Sequence, residues 1–204
     1  MTDGFTRRKE QSKEEIRKAA SELFSQFGIE KVSIVDIARK AGVSQATIYN
    51  NFGSKDALVR EFITSAIDQL VNRVQDVLAL EKPYWEKMAD FIRFLSVIMA
   101  QDKSSEMDLT VFNSSHDLLN DPDIKKIRDS AQQKMTGLLL NLVREGQAQG
   151  QIRTDLSEDA FRFYFKAFME IFTDLPFRQA YYREPKLVQD LGWLMIHGMS
   201  GGKL

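Results

Sequence analysis

The chain has 204 residues, of which 28% are charged and 43% hydrophobic, with a formal net charge of −1. This composition excludes a disordered polymer and leaves room for one small and one medium cored domain. Cysteine is absent, which excludes disulfides, thiolate metal sites and cysteine nucleophiles and fits a cytoplasmic protein. In chain order, residues 1–11 carry Arg7, Arg8 and Lys9 with no apolar run behind them, so they read as a flexible arm and not as a signal peptide. A helix is expected over 13–27, where Ile16, Ala20, Leu23, Phe24 and Phe27 recur on one face.

Residues 33–52 hold the strongest pattern, two short helices joined by a tight turn. Ser33 is placed to cap the first, with Asp36 three positions later as a variant capping box. Ile34, Ile37, Ala38 and Ala41 form its apolar side, and Gly42 ends it where a left-handed backbone is needed. Val43 fills the corner and Ser44 caps the second helix. Ile48 and Phe52 face inward, leaving Gln45, Ala46, Thr47, Tyr49 and Asn50 outside. Gln and Asn amides can pair with adenine, and Ala or the Thr methyl can meet the thymine methyl. Tyr and Thr hydroxyls can bond phosphate oxygens. Ser54 caps the next helix, and Lys55 in its first turn is suited to a phosphate.

That fourth helix is expected over 55–80, about 40 Å long. Pro83 breaks the chain before a helix over 84–101, followed by another over 107–118. Asp121-Pro122 reads as a cap with proline at the first helical position, opening a helix to 148. The next helix, capped by Ser157, carries Phe161, Phe165, Phe168 and Phe172 on one face and further apolar residues on others. A helix apolar around most of its circumference needs two partners, and a second copy of the chain is the simplest second one. The last helix, 185–197, can join it through Leu191, Leu194 and Met195.

The residues quoted resemble the TetR family of bacterial one-component regulators. The resemblance covers Ala19-Ala20, Leu23-Phe24, Phe27-Gly28, Ile37-Ala38, Ala41-Gly42-Val43-Ser44, Thr47-Ile48-Tyr49, Phe52 and Ser54-Lys55-Asp56-Ala57-Leu58, about residues 12–70. Asn51 stands where family members more often carry Tyr or His beside a phosphate; Asn retains a donor there. Val35 stands where some members place a polar residue, and it cannot hydrogen-bond. The resemblance implies an all-α protein. An N-terminal three-helix helix-turn-helix DNA-binding domain (12–58) would be joined by the long helix to a larger helical effector-binding and dimerisation domain (59–204).

The expected function is a ligand-responsive transcriptional regulator, most simply a repressor. It would bind a near-palindromic double-stranded operator as a homodimer through Ser44, Gln45, Ala46, Thr47, Tyr49, Asn50, Asn51 and Lys55. Two readers would enter major grooves roughly 34–36 Å apart. The dimer is expected through Phe161, Phe165, Phe172, Leu191, Leu194 and Met195. An apolar or amphipathic effector of unknown identity is expected near Phe91, Phe112 and Phe168, with Asn113, His116 and Tyr164 as polar anchors. No cofactor, metal site, membrane span or enzyme activity is expected, since the two histidines stand far apart and no catalytic motif appears. The alternative is a helical ligand-binding or protein-interaction module whose helix-turn-helix is scaffold only. Residues 1–58 hold ten basic and eight acidic side chains, a balance of +2. The DNA expectation therefore rests on the motif more than on charge.

Overall fold

The computed structural model describes residues 3–99, 121–171 and 184–198, and within them the chain forms eight helices and no strand. These are α1 (Asp3–Phe27), α2 (Ile34–Ala41), α3 (Gln45–Phe52), α4 (Lys55–Ala79), α5 (Tyr84–Met99), α6 (Pro122–Ala148), α7 (Glu158–Ile171) and α8 (Pro185–His197). The all-helical expectation holds for these residues. The helix expected over 107–118 lies outside them.

The first correction concerns the N-terminus. Residues 3–11 are not an arm but the start of α1, which is 25 residues long. Arg, Lys, Glu and Gln dominate this stretch and no proline interrupts it, so intrinsic propensity continues the helix. Glu10 and Lys13 pair at 3.8 Å, and Gln11 Nε2 donates to Glu15 Oε1 at 3.2 Å, both along the helix.

The described residues fall into two compact units. One comprises 3–68 with 121–128; the other comprises 69–99, 129–171 and 184–198. The first unit therefore extends past residue 58, where the sequence placed its edge. Phe62 of α4 meets Phe24 of α1 with ring centroids 5.2 Å apart, and Ile63 and Ile67 are buried as well. In this unit α1, α2 and α3 pack on one another around Ile16, Ala20, Phe24, Ile37, Ile48 and Leu58. Asp121 caps α6, its Oδ1 accepting from the amides of Asp123 (2.9 Å) and Ile124 (3.1 Å). Those two bonds, that from Ile124 foremost, hold its carboxyl below the usual carboxylate range.

The second unit centres on Val74, Met88, Phe91, Leu139, Phe161 and Phe165, each almost fully buried. Lys87 is the one charged residue in the chain's described core, and its ammonium donates to both oxygens of Glu145 at 2.9 and 2.8 Å. Gln149 accepts from the Tyr84 amide (3.1 Å) and donates to Glu145 Oε1 (3.2 Å), so the start of α5 is tied to the end of α6. Gly146 permits this approach, since a Cβ there would stand 2.8 Å from the Tyr84 ring.

Candidate nucleic-acid interface

Three consecutive caps fix the backbone on either side of α3. Ser33 and Asp36 form the full capping box: the Ser33 amide donates to Asp36 Oδ2 at 3.0 Å, and the Asp36 amide donates to Ser33 Oγ at 3.2 Å. The Ser33 hydroxyl also donates to the same carboxylate, and these bonds hold the Asp36 carboxyl below its ordinary pKa. At the far end of α2, Gly42 sits at φ 67°, ψ 28°, in the left-handed region. The Val43 amide then reaches Ala38 O at 3.0 Å and the Gly42 amide reaches Arg39 O at 3.4 Å. This pair of bonds is the Schellman arrangement, and it turns the chain sharply into α3.

Ser44 caps α3: its Oγ accepts from the Thr47 amide at 3.1 Å and lies 2.9 Å from Thr47 Oγ1. Ser54 repeats the device for α4, accepting from the Ala57 amide at 3.0 Å. Each such cap contributes about 1 kcal/mol. The inward side of α3 is anchored by Ile48, which is completely buried. Its outward side is open: Ser44, Gln45, Ala46, Tyr49 and Asn50 are exposed, and Thr47 and Lys55 are partly so. None of Gln45, Ala46, Tyr49 and Asn50 is covered by the protein, so a protruding strip of amides, a methyl and a phenol is presented to solvent. Val35 on α2 is exposed too.

Asn51 behaves differently from its exposed neighbours. Its Nδ2 donates to the Thr47 carbonyl at 2.9 Å, and its Oδ1 is buried without a partner among the described residues. One of its two amide donors is thus turned back onto its own helix.

A second anchor has no counterpart in the sequence pattern. Arg17 of α1 donates through Nε to Glu61 Oε1 of α4 at 2.6 Å, and its guanidinium carbon lies 6.0 Å from the centroid of the Phe52 ring at the end of α3. The bond to Glu61 is the main cause of a raised Arg17 pKa. One side chain thereby joins three helices. Partners 44 residues apart leave no local pattern to read.

Of the residues expected at an effector site, only Phe91 and Tyr164 have described side chains. Phe91 is part of the second unit's core, and Tyr164 is 40% exposed with its ring edge on Phe165, centroids 5.8 Å apart. Phe112, Asn113 and His116, and the side chain of Phe168, lie outside the described residues. Of the residues expected between subunits, Phe161 and Phe165 are taken up by the protomer's own core, stacked at 6.3 Å. The apolar faces left open on these helices belong to Phe163 (74% exposed) and Tyr164 on α7, and to Trp193 and Leu194 on α8. Leu191 is half-buried, and Phe172 and the side chain of Met195 lie outside the described residues. The four-residue spacing of Phe161 and Phe165 puts both on one face but does not tell an internal from an external partner.

Comparison with known proteins bears on this geometry. Residues 16–62 match the model for bacterial regulatory proteins of the tetR family. The HTH-type transcriptional repressor KstR2 of Mycolicibacterium smegmatis is 30% identical over 162 residues, covering 74% of this chain and 73% of that protein. Among solved structures, the transcriptional regulator FadR from Bacillus subtilis in complex with stearoyl-CoA aligns with a TM-score of 0.66 at 20% identity, over 91% of this chain and 98% of that one. The SmeT–triclosan complex aligns with a TM-score of 0.66 at 14% identity, over 94% and 93%. These two likenesses speak to the fold.

Proposed function

The chain belongs to the tetR family of bacterial regulatory proteins, and from that premise we propose that it is a ligand-responsive repressor that binds a near-palindromic operator as a homodimer. The observation that carries the reading is the strip from Gln45 to Asn50, uncovered and held between capped turns with Ile48 sealed beneath it. A helix so presented suits the major groove, where Gln45 and Asn50 have the amide geometry for adenine and Tyr49 and Lys55 suit phosphates. One short reading helix recognises few base pairs, so tight binding calls for two copies. The exposed Phe163, Trp193 and Leu194 supply apolar surface that a second copy would cover.

The effector is proposed to be apolar or amphipathic, in keeping with relatives solved with stearoyl-CoA and with triclosan. It would favour one of two states of the regulator and so release DNA. Among the described residues no helix is long and apolar enough to cross a membrane.

A gel-shift assay with DNA from upstream of the chain's own coding region tests the reading. Tyr49→Ala and Lys55→Ala are expected to weaken binding at least tenfold while leaving the melting temperature within a few degrees. Binding that survives both changes, or is missing at low salt, would favour a helical ligand-binding or interaction module instead.

A further inference from the structure

We propose that the first turns of α1 form a second phosphate-binding surface, which grips duplex DNA beside the bases read by α3; this rests on the regulator reading above. The helix begins at Asp3, yet from residue 6 onward its first buried residue is Ile16. About 20 Å of helix therefore precedes the core of the first unit. Residues 6–11 are exposed, and residues 6–13 hold four cations (Arg7, Arg8, Lys9, Lys13) against one acid, Glu10. That is a local balance of +3 in a chain whose total is −1. Glu10 pairs with Lys13, whereas Arg7, Arg8 and Lys9 have no acidic partner among the described residues.

The placement of these charges runs against helix physics. The partial positive charge at a helix N-terminus reaches through its first turn, residues 3–6 here, and gives the cations just beyond it no support. Lys9 and Lys13, four residues apart, also repel one another across one turn. Among the described residues no carboxylate pairs with Arg7, Arg8 or Lys9. An external polyanion would.

Direction comes from Arg17, whose contact with Phe52 and Glu61 fixes which side of α1 faces the α3–α4 turn. Lys13 and Lys9 lie four and eight residues before it, within a quadrant of the same side. Lys13, Lys9 and Arg7, within a quadrant to either side of Arg17, thus continue the edge of the surface that includes Lys55, with Arg8 on the opposite face, and duplex DNA is the polyanion that fits there. Because this segment is a helix and not a mobile arm, its contacts require little further ordering on binding.

The triple variant Arg7→Gln, Arg8→Gln, Lys9→Gln tests this, since glutamine keeps helix propensity. Gel shifts on the upstream duplex, and on a scrambled duplex of equal length, would be run from roughly 50 to 200 mM KCl. The slope of log affinity against log salt is expected to shallow by about 1–2, with binding weakened roughly tenfold on both duplexes. Hydroxyl-radical protection should shrink at its outer edges and stay unchanged at its centre. Glu10→Gln, which removes the one acid, is expected to strengthen binding severalfold. Equal slopes and equal footprints for the triple variant and the parent overturn the proposal; if Tyr49→Ala still weakens binding, the regulator reading survives that failure. A parent chain that binds neither duplex overturns both.

Discussion

The two units are held by contacts of different range. Around α3 the capping bonds span three to five residues (Ser33 with Asp36, Ala38 with Val43, Ser44 with Thr47, Ser54 with Ala57), with Arg17–Glu61 the long-range tie. In the second unit the polar ties span 58 residues for Lys87–Glu145 and 65 for Tyr84–Gln149. A surface posed mainly by caps takes its local shape from a short string of residues. A core fixed at long range depends on the whole unit having assembled.

That contrast can be broken first in the core. Phe165→Ala removes a fully buried ring from the second unit, and a loss of about 3–5 kcal/mol in denaturant unfolding is expected. A loss under about 1 kcal/mol would show that long-range packing does not carry this unit. Next come the local devices. Gly42→Ala puts a side chain at φ 67°, with an expected loss of about 1–2 kcal/mol. Ser44→Ala removes the cap on α3 and should lose about 1 kcal/mol. Both are expected to weaken DNA binding beyond what their stability loss explains, read as affinity at a temperature where each variant is fully folded.

The smallest effect sharpens the comparison with a change of sign. Tyr84 is buried and its hydroxyl has no partner among the described residues, so Tyr84→Phe should be neutral or stabilising by up to about 1 kcal/mol. Burial pushes the Tyr84 pKa from 10.0 up to about 12. The unfolded chain therefore ionises first, and the parent protein's stability is full below pH 10 and lost as pH rises from 10 toward 12. The Phe variant should lack that component of the decline, as midpoints at pH 8 and near pH 11 would reveal.

Range of contact also decides what could be read from the chain. The caps at Ser33, Ser44, Ser54 and Ser157, the turn at Gly42 and the proline start of α6 were all legible, because each is a local arrangement of backbone and one side chain. The exposed strip of α3 followed from the same pattern, with Ile48 correctly placed inside. Arg17 over Phe52 and the Lys87–Glu145 pair were not legible, since nothing near either residue announces a partner so far along the chain. Phe161 and Phe165 failed for another reason. A phenylalanine at helical spacing has the same pattern whether it fills its own core or meets a second copy. The α1 start was misread because a run of charged residues suits both a solvated arm and a solvated helix, and propensity favoured the helix.

The exposed strip has an evolutionary corollary. Gln45, Ala46, Tyr49 and Asn50 stand outside the cap bonds, and the residues that make those bonds are other ones: Ser33, Asp36, Gly42, Ser44, Thr47 and Ser54. These exposed letters can therefore be rewritten one at a time while the grammar that poses them stays intact. A duplicated copy of this chain could drift to a new target through a few single substitutions, each intermediate still folded.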